Sequence, residues 1–462
     1  MKNGFDLLGQ GQINRLVYVF LLWKVLLLAL AAFCPGPGYD TSGLILLDAS
    51  VQRYRHFEVS TRFERFLLNL VRWDALYFVK AAERGLIHEQ AWAFSGVYSR
   101  LLGLVGQLMS GSATPPFHYY VLAGILVSNT CHLLSVLVLY RLLTLVLEPQ
   151  RGKTVSFIAA VLHVLTPASL FMCAPYAEAM FSFLNFTGML LYAQSKTMAR
   201  TRTFSFQEDA QKLGAGLFFA AATLMRSNGL FSGTILLYDV AGYLLNLTST
   251  QRSVHDIRKI FIACVSGSMI ALAFVGPQYF AFLEFCNRES VAGTRPWCEK
   301  SLPSIYSWVQ SHYWNVGLFR YWTLSNLPLF VLAAPTVWLL FTSSVTHLRS
   351  CVRNLLQENI DPGVGKSTTA RDASSAICKL PELALPQLLL AALAVTSFHV
   401  QIVNRIASGY PLWYLMIATW ITDSAHENFT KNRPPKTQWF VRGIIVYGLV
   451  QGMLFANFLP PA

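Results

Sequence analysis

An aspartate stands where an aspartate is costly. At helical spacing, about 100° per residue, Val59–Leu86 puts Phe63, Phe66, Leu67, Leu70, Tyr77, Phe78 and Ala81 on one face. Arg62, Arg65, Asn69, Arg72, Lys80 and Glu83 fall on the other, and Gly85 offers a stop. Asp74 lands in the middle of the apolar face, where an unpaired carboxylate is heavily penalised. Two roles would justify it: an ion pair with a neighbouring arginine, or a general base held at a membrane surface. Glu178, at the head of an apolar run, is the second candidate base, or a group that orients an acceptor.

Other residue types complete a possible transfer chemistry. Arg226, Arg320 and Arg405 lie in three separate polar segments. Arginines there either grip a phosphate bidentately or snorkel to lipid headgroups. Arg72 would do the same or pair with Asp74. Trp73, Trp314 and Tyr321 are suited to stack on sugar rings or to line a lipid groove, and Asn228, Asn315 and Gln401 to bond sugar hydroxyls. His312 belongs to the same aromatic segment. A D-x-D motif is absent, and no His/Asp/Glu group has metal-ligand spacing. Metal independence is the expectation.

The elements that must carry these residues are read from composition. Of 462 residues, 54% are hydrophobic and 13% charged, which excludes a soluble multi-domain protein. Eleven segments are apolar enough to span or nearly span a bilayer, the first Leu16–Phe33 and the last Val441–Phe458. Backbone groups in hydrocarbon must pair internally, so the spans are helices. The reading is one all-α polytopic unit over 1–462, with about eleven transmembrane helices. A long first luminal loop over 34–118 carries amphipathic interfacial helices, an aromatic luminal loop covers 286–322, and a cytosolic loop covers 348–379. Basic residues gather in the loops 150–154, 195–212, 248–259 and 424–438, which places those loops and the N-terminus in the cytosol. The first span reads as uncleaved, since Lys24 interrupts it. The net charge of +13 is accounted for by these loops and needs no nucleic acid. Cys286 and Cys298 share one luminal loop, a plausible disulfide in an oxidising compartment. The GVGKSTTA of the 348–379 loop has Ile360 where a P-loop needs glycine, and reads as a plain loop. The polar chemistry therefore collects on one membrane face, the layout of an enzyme acting on lipid-borne substrates.

The ordered motifs resemble the PIG-V family of GPI mannosyltransferases. They are Arg72-Trp73-Asp74-Ala75 with Phe78 and the following AAERGL, Pro175-Tyr176-Ala177-Glu178, and Arg226-Ser227-Asn228-Gly229. Tyr313-Trp314-Asn315-Val316-Gly317 with Arg320-Tyr321 comes next, and then Gln401 through Arg405 to Pro411 and Tyr414. After Phe94 the chain has Ser95-Gly96-Val97-Tyr98 where the family pattern is richer in proline. The resemblance implies a GT-C-type glycosyltransferase in the endoplasmic reticulum membrane with a luminal active site. It implies dolichyl-phosphate mannose as donor, a glycosylphosphatidylinositol precursor bearing one mannose as acceptor, and an α1,6 linkage formed with inversion. It also implies that a small membrane accessory subunit is possible. The rivals are a transferase of the same fold with another acceptor, and a lipid transporter or scramblase. The latter would need a polar path across the spans, which the sequence lacks.

Overall fold

The computed structural model describes residues 3–35, 62–147, 149–198, 205–248, 254–287, 295–360, 380–431, 436–457 and 459. The glycine-lysine segment near 363–370 lies outside them, as do residues 36–61 of the first long loop. Among the described residues every regular element is helical. The long helices are α1 (Asn3–Phe33), α5 (Phe117–Val146), α6 (Pro149–Val164), α7 (Glu178–Met198), α8 (Phe206–Met225) and α9 (Gly233–Thr248). They continue with α10 (Val254–Cys286), α12 (Leu327–Ile360), α13 (Leu385–Thr396), α15 (Leu412–Lys431) and α16 (Lys436–Ala456). The shorter ones are α2 (Arg62–Leu70), α3 (Asp74–Arg84), α4 (Gly96–Ser110), α11 (Ile305–His312) and α14 (Val403–Ile406).

Each segment expected to span contains a helix, yet length and composition qualify only six of them among the described residues. These are α1, α5, the 227–248 segment ending in α9, α10, α12 and α16. The physical reason is visible in α7, which buries Glu178, Ser182, Asn185 and Ser195 inside the protein. A helix surrounded by other helices can hold polar groups that a lipid-facing one cannot. Asn185 is the asparagine of a sequon, but its amide donates to the Gly409 carbonyl and its oxygen accepts from Ser232, so it is a packing residue.

Two buried ion clusters mark the ends of the bundle. At one end Asp239 pairs with Lys212 at 2.7 Å and with Lys196, while the Tyr192 hydroxyl bonds both Asp239 and Glu382. At the other end lie Asp74, Glu178, Arg226 and Arg405. Glu178 and Lys196 stand on the same helix, α7, separated by ~27 Å at 1.5 Å per residue. That matches a hydrocarbon core of about 30 Å, so each cluster sits near an interface rather than in mid-bilayer. Lys24 on α1 is buried, donating to the Met172 carbonyl at 2.8 Å and to Cys173 Sγ at 3.2 Å, and so ties α1 to the turn that leads into α7.

Within the segment Val59–Leu86, whose first three residues lie outside the described ones, the expected continuous helix is instead two helices, with a break at 71–73. Trp73 takes a left-handed φ of 53°, which no helix interior accommodates. The break turns Asn69 and Arg72 inward rather than onto an outer polar face. Asn69 donates to the Ala31 carbonyl at the end of α1, and Arg72 bonds Asn69 and the Ala456 carbonyl at the end of α16. Asp74 is thereby moved from the middle of a stripe to the first residue of α3.

Candidate active site

Four segments converge on a network of two carboxylates and two guanidinium groups. Arg405 Nη2 lies 2.7 Å from Asp74 Oδ2, and its Nε lies 2.8 Å from Glu178 Oε1. Arg226 Nη1 donates to the same Glu178 oxygen at 2.7 Å. Local structure favours this arrangement. Asp74 and Glu178 each open a helix, α3 and α7, where the N-terminal dipole stabilises negative charge. Arg226 immediately follows the last residue of α8, where a cation meets the C-terminal carbonyls.

The four groups are not equivalent. Glu178 is sealed, with its side chain 1% exposed, whereas that of Asp74 is 25% exposed and can meet a substrate. The Arg405 and Arg226 side chains keep 11% and 18% of their surfaces. Glu178 Oε2 and Arg226 Nε are buried without a hydrogen-bond partner among the described residues. Such atoms can take a further polar partner. Arg405 also lies over the Phe171 and Tyr176 rings, 5.1 and 5.5 Å from their centres. Tyr176 then donates its hydroxyl to the Arg72 carbonyl at 2.7 Å, pinning the turn that presents Asp74.

The remaining expected residues fall around this core in different ways. Asn228 is buried and donates to the Tyr410 hydroxyl at 3.0 Å, joining the Arg226–Gly229 turn to the end of the Arg405 segment. Gly229 is required there, since a Cβ would stand 2.5 Å from the Thr223 amide nitrogen. Gln401 accepts from Tyr321 at 3.0 Å, and Tyr321 stacks on His399 with 4.7 Å between centres. The His399 ring nitrogen bonds the Trp314 carbonyl, while Trp314 meets Phe94 edge-on. His312 stacks flat on Trp308 at 4.3 Å. Asn315 takes a left-handed φ of 51° and is exposed. Arg320 is also exposed and has no ion-pair partner among the described residues. Trp73 is half-buried beside Asp74, and Arg72 is bound into the frame as described above. Cys286 and Cys298 are joined as a disulfide, with Cα atoms 5.7 Å apart.

One residue escaped the sequence reading. Glu89, in the 3-10 turn Glu89–Ala93, is buried and accepts from four donors of the aromatic loop. Arg295 and Trp297 bond one oxygen at 2.9 and 3.0 Å, and Trp308 and Tyr313 bond the other at 3.3 and 3.2 Å. Burial first, then the Glu89 charge, pushes the Tyr313 phenol above its ordinary pKa, so it remains a donor. The only signal for this hub was an acidic residue among aromatics, which is weak.

Fold and site together define a membrane-embedded enzyme whose charged centre lies at one face of a helical bundle. Residues 13–462 match the family model described as mannosyltransferase (PIG-V). Similar proteins include GPI mannosyltransferase 2 of Aspergillus fumigatus, 39% identical over 97% of this chain and 93% of that protein. Those of Aspergillus oryzae and Yarrowia lipolytica are 38% and 30% identical, over 97% of this chain and 96% and 99% of theirs. An archaeal oligosaccharyltransferase from Archaeoglobus fulgidus superposes with a TM-score of 0.45 at 13% identity, covering 95% of this chain and 56% of that one. The chain belongs to the PIG-V mannosyltransferase family and is a glycosyltransferase.

Proposed function

We propose that this enzyme transfers the second mannose, in α1,6 linkage, from dolichyl-phosphate mannose to a GPI precursor bearing one mannose, at the luminal face of the endoplasmic reticulum membrane. Family membership supports the reaction class, and the Asp74–Arg405–Glu178–Arg226 network carries the mechanism. The donor is β-linked, so an α product requires one in-line displacement.

Asp74 is the base that takes the proton from the acceptor hydroxyl. It is the more accessible carboxylate, and positioned proton transfer contributes about 10²–10⁴-fold. Glu178, sealed and shared by both arginines, orients them. Arg405 and Arg226 oppose the charge that develops on the departing dolichyl phosphate. Arg405 neutralises Asp74; when the donor phosphate draws the guanidinium, Asp74 is freed to act. Arg320, exposed and unpaired on the aromatic loop, is a further phosphate ligand. Trp73, Trp314 and Tyr321 supply stacking faces for the sugars, and Asn315 and Gln401 supply hydrogen bonds. The displacement runs without a divalent metal, so a chelator should leave the rate unchanged.

The deciding assay supplies dolichyl-phosphate mannose to microsomes carrying Asp74→Asn and follows GPI intermediates. One-mannose precursor should accumulate while the protein is present at its normal level. Normal two-mannose product would make Asp74 structural and shift the base to Glu178.

A further inference from the structure

A cleft of about 450 Å³ opens at the end of α3 remote from Asp74. Its walls are Ala81 and Leu86 at the end of α3, Trp92, Arg100 on α4, and Phe280 and Glu284 on α10. The volume is of the size that holds a small ligand. Arg100 is exposed and forms no ion pair among the described residues, so its guanidinium is available. On the two helices that bear Arg100 and Glu284, Leu104 and Leu108 of α4 and the cleft residue Phe280 of α10 are 60%, 84% and 65% exposed. In a membrane protein such apolar surface faces lipid, and the cleft therefore opens sideways to the bilayer near headgroup depth.

The cleft is also connected to the site. Helix α3 runs from Asp74 to the cleft wall at Gly85, ~16 Å away at 1.5 Å per residue. Ser95, next to the cleft residue Gly96, donates to the Leu224 carbonyl at 2.6 Å, two residues before Arg226. An amphiphile with its chains in the bilayer and a phosphate at Arg100 would have its glycan directed along α3 toward Asp74. We infer that the cleft binds the phosphoinositol end of the glycolipid acceptor, with Arg100 as the phosphate ligand. The inference rests on the acceptor proposed above. A headgroup bearing both a phosphate and a sugar amine suits a cleft lined by Arg100 and Glu284, and Trp92 offers a ring face to a sugar.

The test compares two soluble competitors of mannose transfer: the acceptor glycan ending in inositol phosphate, and the same glycan without phosphate. The wild-type enzyme should prefer the phosphorylated competitor about tenfold, the scale of one charge-assisted contact. Arg100→Gln should abolish that preference and raise KM for the lipid acceptor while leaving KM for the donor unchanged. Arg100→Lys should restore part of it. Equal inhibition of the wild type by both competitors overturns the inference. So does a preference that survives in Arg100→Gln; if activity nonetheless falls, Arg100 touches bilayer lipid instead. A wild-type enzyme that does not mannosylate the GPI precursor at all would overturn the acceptor reading, and this inference with it.

Discussion

At the residue scale, the candidate site balances one sealed and one partly open carboxylate against two guanidinium groups, and its members should fail differently. If Asp74 is the base proposed above, Asp74→Asn removes the proton acceptor at a partly open position, and activity should fall by about 10²–10⁴-fold while the protein remains folded. Glu178→Gln removes the charge that both Arg226 and Arg405 share. Breaking a buried pair by deleting one partner costs about 3–5 kcal/mol. That variant should therefore lose thermal stability as well as activity, measurable as a lower Tm in detergent. Asp74 was legible in the sequence because a carboxylate among apolar residues is unusual. Its partner was not, because nothing in local spacing links position 74 to position 405.

Elements decide which of these residues can touch substrate. The strained turn at Trp73, the Gly229 approach to the end of α8 and the Glu89 hub each fix one segment against another. Gly229→Val would force a side chain into the Thr223 backbone, and overpacking of this kind costs about 1–3 kcal/mol. The Arg226 turn would then shift, lowering both stability and kcat. Glu89→Gln should act otherwise. It keeps the shape but replaces one acceptor oxygen with a donor that faces either Trp297 and Arg295 or Trp308 and Tyr313. Loosening the aromatic loop should raise substrate KM more than it lowers kcat, and steady-state kinetics would separate the two. Helix periodicity correctly marked α3 as amphipathic, but it carried the pattern through 71–73, where contacts with the ends of α1 and α16 break the helix.

For the whole molecule, the two ion clusters lie at opposite ends of α7, and the proposed mechanism makes one a working face and the other a structural face. Asp239→Asn, on the structural face, should lower Tm by unpairing Lys196 and Lys212 and leave KM for both substrates unchanged. A changed KM would mean that the ends are coupled through the bundle. Composition and the order of motifs were enough to determine a polytopic helical membrane protein and its family. Those properties follow from hydropathy and short-range pattern, which the bilayer and the backbone enforce locally. The tertiary structure alone decided that Asp74 begins a helix rather than interrupting one, that Arg405 is its partner, and that Glu89 gathers the aromatic loop. It also decided that helices as polar as α7 belong inside. These are contacts between residues far apart in sequence, fixed only when buried charges must find partners in the folded bundle.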